Sequence, residues 1–168
     1  WGKPILVIVS IFFLLSSEGS KQSIREMYVK SVDSKQTAEN LLVTLAKQEQ
    51  SSFVLGYTGA TKMIMAKHVF NPFSKLNYFN TGKKMLNKAI DNDNNNVELV
   101  FLRYAIQVSA PSILGYNDHV DTDKKLILKS LNHKVITDDE LVKTIILFMK
   151  KQKLTPTEKQ QIANIAKK

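Results

Sequence analysis

Apolar residues recur along most of this chain at helical spacing, and no segment alternates long enough to build a convincing strand. Ala38, Leu41, Leu42, Leu45 and Ala46 stand at i, i+3, i+4, i+7 and i+8, positions that share one stripe of an α-helix. Ile24, Met27 and Tyr28 predict a short helix before it. A third helix is expected from about Ser52 to His68, with Gly56, Gly59 and Ala60 close enough together to admit a neighbouring backbone. Asn71-Pro72 breaks the chain and restarts it, proline being suited to a first helical turn. The fourth helix, about Pro72 to Ile90, carries two apolar stripes: Phe73, Leu76, Phe79, Leu86 and Ile90, and beside them Tyr78, Met85 and Ala89. That pattern predicts a helix sandwiched between neighbours.

The second half reads the same way. Asn95 with Glu98 predicts the start of a fifth helix that Pro111 ends. A short turn over Ser112 to Asp118 leads to a sixth helix near Asp123 to His133. Thr137 with Glu140, and Thr155 with Glu158 after Pro156, read as capping boxes for a seventh and a last helix. The expected fold class is all-α, with antiparallel helix pairs stacked in an array of about seven to eight helices. Cysteine is absent, so disulfides, thiolate metal sites and cysteine nucleophiles are all excluded. Stability must come from the apolar core, which a domain of about 150 residues can supply.

The N-terminal segment stands apart. Ile5 to Leu15 reads ILVIVSIFFLL, with Lys3 before it and small residues, Ser17 and Gly19, after it. A charged start, a short apolar run and small residues before a cut read as a signal peptide, against a buried core helix or an uncleaved anchor; a bilayer span takes about 20 residues. The expected organisation is a signal peptide over 1–19 and a single helical domain over 20–168, exported to the periplasm or cell envelope. Membrane contact is expected only through that signal peptide.

Two resemblances follow from these residues. Gly82, Leu86, Ala89-Ile90 and Asp93 resemble the second helix and exit loop of a tetratricopeptide repeat, and Ala60, Ile64 and Pro72 fall at similar spacings one unit earlier. The first helices lack the Trp, Leu-Gly and Tyr pattern of that repeat. LGYTGATKMIMAKHVFNPFSKLNYFNTGKKMLNKAI (Leu55 to Ile90) and ELVFLRYAIQVSAPSILGY (Glu98 to Tyr116) resemble a family of small, exported, uncharacterised helical proteins of Gram-negative bacteria. That resemblance implies export and a helical fold, and no catalytic residue or ligand.

The net charge is +9, and nearly all the basic residues are lysine. Only Arg25 and Arg103 are arginine, and nucleic-acid readers depend on arginine for bidentate contacts; no nucleic acid is expected. Between Glu49 and Asp91 there is no carboxylate but six lysines: Lys62, Lys67, Lys75, Lys83, Lys84 and Lys88. Asn77, Thr81, Lys84 and Lys88 form one polar stripe of the fourth helix. This stretch is the candidate face for an anionic partner: an acidic envelope protein, a lipid headgroup or a polysaccharide. A solvated lysine face in a lysine-rich chain accounts for the same pattern.

A rival site centres on Arg103, which sits among apolar residues and must find acceptors there. Tyr104, Gln107, Tyr116 and His119 are the side chains that would share a pocket with it, for a small ligand or an enzymatic role. A structural pairing of Arg103 with a carboxylate competes with that reading. Asp121 and Asp123 read as capping and dipole-compensating residues of the sixth helix. Asp91 to Asn96 looks like the start of a calcium loop, but Leu102 stands where the closing glutamate belongs. No metal, cofactor or catalytic constellation is expected, and the chain reads as a non-enzymatic binding or scaffold module.

Overall fold

A computed structural model describes residues 20–167; the expected signal peptide over 1–19 lies outside the described residues. The described chain is all-α, with eight α-helices, one short 3-10 turn and no strand. In order these are α1 (20–31), α2 (Lys35–Ala46), α3 (Ser52–His68), α4 (Pro72–Asn92), α5 (Val97–Ser109), the 3-10 turn Ser112–Leu114, α6 (Val120–Asn132), α7 (Asp139–Lys150) and α8 (Pro156–Ile165). The chain divides into two compact units, with the boundary along the sequence between Lys88 and Ala89 of α4.

In the first unit, α2 packs on α3. Ser34 and Ser51 start these helices, each side chain accepting a first-turn backbone N–H, from Thr37 and Val54. The buried side of α2 is Ala38, Leu41 and Leu45. α3 is buried on several sides, through Val54, Tyr57, Ala60, Met63 and Met65 among others. Tyr57 meets Tyr28 of α1 edge to face at 5.5 Å between ring centroids. α3 and α4 approach through glycine: a β-carbon on Gly59 would lie 2.7 Å from both the Gly82 carbonyl oxygen and the Leu86 nitrogen. Only a residue without a β-carbon permits that spacing without a shift.

Asn71 caps α4, its side-chain oxygen accepting from Phe73 N at 2.9 Å and Ser74 N at 3.1 Å. Pro72 takes the first helical position, as the sequence predicts. Phe79, Leu86, Ala89 and Ile90 are buried, but the expected sandwich fails over the first turns of α4. Phe73 is 83% exposed and Leu76 50% exposed. The expected stripe is not one side of the helix: Phe73 stands about 140° around α4 from Leu86, and the side that Phe73 and Leu76 share at its start is exposed.

In the second unit, α5 packs on α6, and both α6 and α7 contact α8. The rings of Phe148 in α7 and Phe101 in α5 meet nearly at right angles, 5.3 Å between centroids. Capping places two starts one residue later than expected. Asn96, not Asn95, accepts from Leu99 N, and Asp138, not Thr137, accepts from Leu141 N. α6 begins at Val120, three residues before the expected Asp123. The capping box of α8 is present as read: Thr155 accepts from Glu158 N, Glu158 accepts from Thr155 N, and Pro156 occupies the first turn.

Candidate functional site

Two groups of residues carry the charge pattern that the sequence singles out, one in each unit. The first is the lysine-rich stretch of α3 and α4. Lys84 and Lys88 are exposed on α4, on the side opposite the buried Leu86. The helical period dictates this, because Lys84 and Lys88 stand about 160–200° around the helix from Leu86. Asn77, on the same stripe, is exposed too, and Thr81 is half-buried. Lys75 is exposed near the start of the helix.

The remaining lysines do other things. Lys62 is half-buried and lies 5.9 Å from the Tyr78 ring centroid, a cation–π distance. Lys67 donates to the Val32 carbonyl at 2.8 Å and pairs with Asp33 at 3.3 Å. That carboxylate lies outside the acid-free stretch in sequence but beside Lys67, in the middle of that stretch, in space. Lys83 is half-buried. Of the six lysines, Lys67, Lys75, Lys84 and Lys88 are exposed, and Lys67 among these is engaged by Asp33.

The second group surrounds Arg103 on α5. Its Nε donates to Asp123 Oδ2 at 2.8 Å and its Nη2 to Asp123 Oδ1 at 2.7 Å, a two-pronged ion pair. The Asp123 side chain is 4% exposed and that of Arg103 12%. Gln107 Nε2 donates to the same Asp123 Oδ2 at 2.9 Å, and Gln107 Oε1 accepts from the His119 backbone N–H at 2.9 Å. Tyr116 is buried nearby. Burial pushes its hydroxyl up to about 12; the Arg103 charge pulls the other way, and Asp123 and Asp118 add to the rise.

Four of the five residues expected in this pocket are thus drawn together: Arg103, Gln107, Tyr116 and His119. His119 contributes its backbone N–H to Gln107. Tyr104 is buried, with its ring 6.2 Å from that of Phe148, and burial raises its hydroxyl, with Glu158 and Asp121 adding to the rise. Sequence reasoning missed Asp123 as the partner of Arg103. It does lie in the first turn of α6, as the dipole reading expects, but its carboxylate is turned inward and shared between Arg103 and Gln107. The available signal was the arginine itself, which needs a carboxylate in an apolar setting.

A shallow cleft elsewhere in this unit is lined by Asn132, Pro156, Thr157, Gln160, Gln161 and Asn164. Among the described residues, no three His, Cys, Asp or Glu side chains are grouped as a metal ion requires. Asp91 and Asn92 of the expected loop belong to α4; past them, Asn96 Nδ2 donates to Asp93 Oδ2 at 3.1 Å while Asn96 caps α5. No described helix is long and apolar enough to cross a membrane. Comparison with family models, curated proteins and solved structures finds no match, so both sites are read from their own geometry.

Proposed function

We propose that this chain is an exported, non-enzymatic helical module of the cell envelope, with tetratricopeptide-like stacking, that binds an anionic partner. The observation that carries the reading is the exposed Lys84–Lys88 pair, one turn apart on α4, within a stretch of chain that holds no carboxylate. Two like charges at i, i+4 cost a few tenths of a kcal/mol in the isolated protein. An anionic partner relieves that repulsion. The Arg103 group supports a module held together by internal pairing, because both prongs of the guanidinium used here go to Asp123.

The test is binding to dextran sulfate and to envelope extract at low and high salt, with wild type beside Lys84→Glu/Lys88→Glu. Wild-type affinity for both should fall with salt, since the attraction acts over a Debye length of about 8–10 Å. The double variant should bind more weakly while melting at the wild-type temperature, because exposed lysines add little to stability. Unchanged binding by the folded double variant overturns the reading and leaves a solvated lysine face.

A further inference from the structure

The turn between α3 and α4 presents two phenylalanines to solvent. Phe70 is 98% exposed and Phe73 83% exposed, with Leu76 following at i+3 on the same side of α4. A local reason keeps Phe70 out. The residue before a helix cap ordinarily packs on the fourth helical residue. With Asn71 as the cap, that fourth residue is Lys75, which offers no apolar surface at its charged end. A side chain 98% exposed stands clear of its own protein, so this is a protruding tip rather than the wall of a groove.

The tip is not isolated. Lys67 donates to the Val32 carbonyl at 2.8 Å, and His68 Nε2 lies 2.8 Å from the Ser31 carbonyl oxygen. These bonds hold the end of α1 beside the end of α3, so the exposed Val32 joins the same end of the unit. Lys67 and Lys75 flank the phenylalanines in sequence, within a stretch of chain that holds no carboxylate; Lys67 is paired with Asp33, and Lys75 is exposed in the first turn of α4. Apolar residues on a projecting turn with a lysine beside them match a lipid interface: rings enter the acyl boundary while the ammonium group stays among phosphates. A protein partner would have to supply a pocket for a convex tip, whereas acyl chains yield to it.

We propose that the α3–α4 turn is a membrane-interface tip, with Phe70, Phe73 and Leu76 entering the surface of an anionic bilayer and Lys75 contacting its phosphates. This rests on the reading of the α4 lysines as a surface for an anionic partner, and names that partner. It also places membrane contact outside the N-terminal apolar segment to which the sequence alone assigns it.

The absence of native cysteine allows a site-specific test in the full chain. Leu76→Cys carries an environment-sensitive fluorophore, and Ile113→Cys, on the other unit, carries the same label as control. Vesicles are phosphatidylglycerol with phosphatidylethanolamine, or phosphatidylcholine alone. The label at position 76 should brighten and shift to the blue with anionic vesicles and not with phosphatidylcholine, while the label at 113 stays unchanged. Phe70→Ser/Phe73→Ser should raise the anionic lipid concentration needed for half the shift by about tenfold or more, given the apolar area each ring buries. An unshifted label at 76, or an equal shift at 113, overturns the tip. If vesicle or dextran sulfate binding then still depends on Lys84 and Lys88, the basic-face reading survives and only the tip fails. Loss of that dependence overturns both.

Discussion

Gly59 on α3 and Gly82 on α4 face each other so closely that a β-carbon on either would press into the other's carbonyl oxygen. On Gly82 such a carbon would also lie 2.9 Å from the Met63 nitrogen. In an isolated helix, alanine is preferred to glycine by about 1 kcal/mol. Here overpacking against backbone reverses that preference. Gly82→Ala should destabilise the protein by about 1–3 kcal/mol in urea melts. A variant as stable as wild type would show that α3 and α4 can separate at no cost.

The Arg103–Asp123 pair predicts a non-additive pattern. Asp123→Ala leaves a nearly buried guanidinium and the Gln107 amide without their shared acceptor. The expected loss is about 3–5 kcal/mol. Replacing both charges, as Arg103→Met/Asp123→Leu, should cost less than the single change, because no unpaired charge remains inside. A double variant less stable than Asp123→Ala would show that the pair contributes more than mutual neutralisation.

The contrast between Phe73 and Leu86 shows what was legible in the sequence. The sequence reading puts both on one apolar stripe, but Leu86 is fully buried and Phe73 is not. Thirteen residues at about 100° each set them about 140° apart around the helix, so the long stripe does not hold as one side of α4. Leu86→Ala should therefore cost about 2–4 kcal/mol, while Phe73→Ala should change stability by no more than about 0.5 kcal/mol. Equal losses would place the start of α4 in the core.

Other features separate along the same line. The all-α class, the extent of α3 and the Thr155 capping box are local properties and were readable. The shifts from Asn95 to Asn96 and from Thr137 to Asp138 arise because each pair offers two side chains able to cap, and backbone dihedrals choose between them. The partner of Arg103 lies twenty residues away on another helix, and no local pattern points to it. The pairing of Lys67 with Asp33 depends on tertiary approach in the same way.

The last helix is tied down by a charge that acid can remove. Lys124 of α6 lies 3.1 Å from Glu158 of α8, and Glu158 also accepts the Thr155 backbone N–H at 2.8 Å. Burial pushes the Glu158 carboxyl up, but the Thr155 N–H and the Lys124 ammonium together outweigh it and hold it below its ordinary value. The folded protein thus binds this proton less tightly than the unfolded chain does. Its contribution is fully present above the unfolded value of about 4.3 and is lost as pH falls through the lower folded value. Glu158→Gln keeps an acceptor for Thr155 but has no charge for Lys124. At neutral pH it should be less stable by about 1 kcal/mol. Below about pH 4 the difference from wild type should shrink, as wild type loses the same charge. Urea melts of both proteins across pH 3–7 measure this directly. A gap that stays constant with pH would show that Glu158 acts through its shape and not its charge.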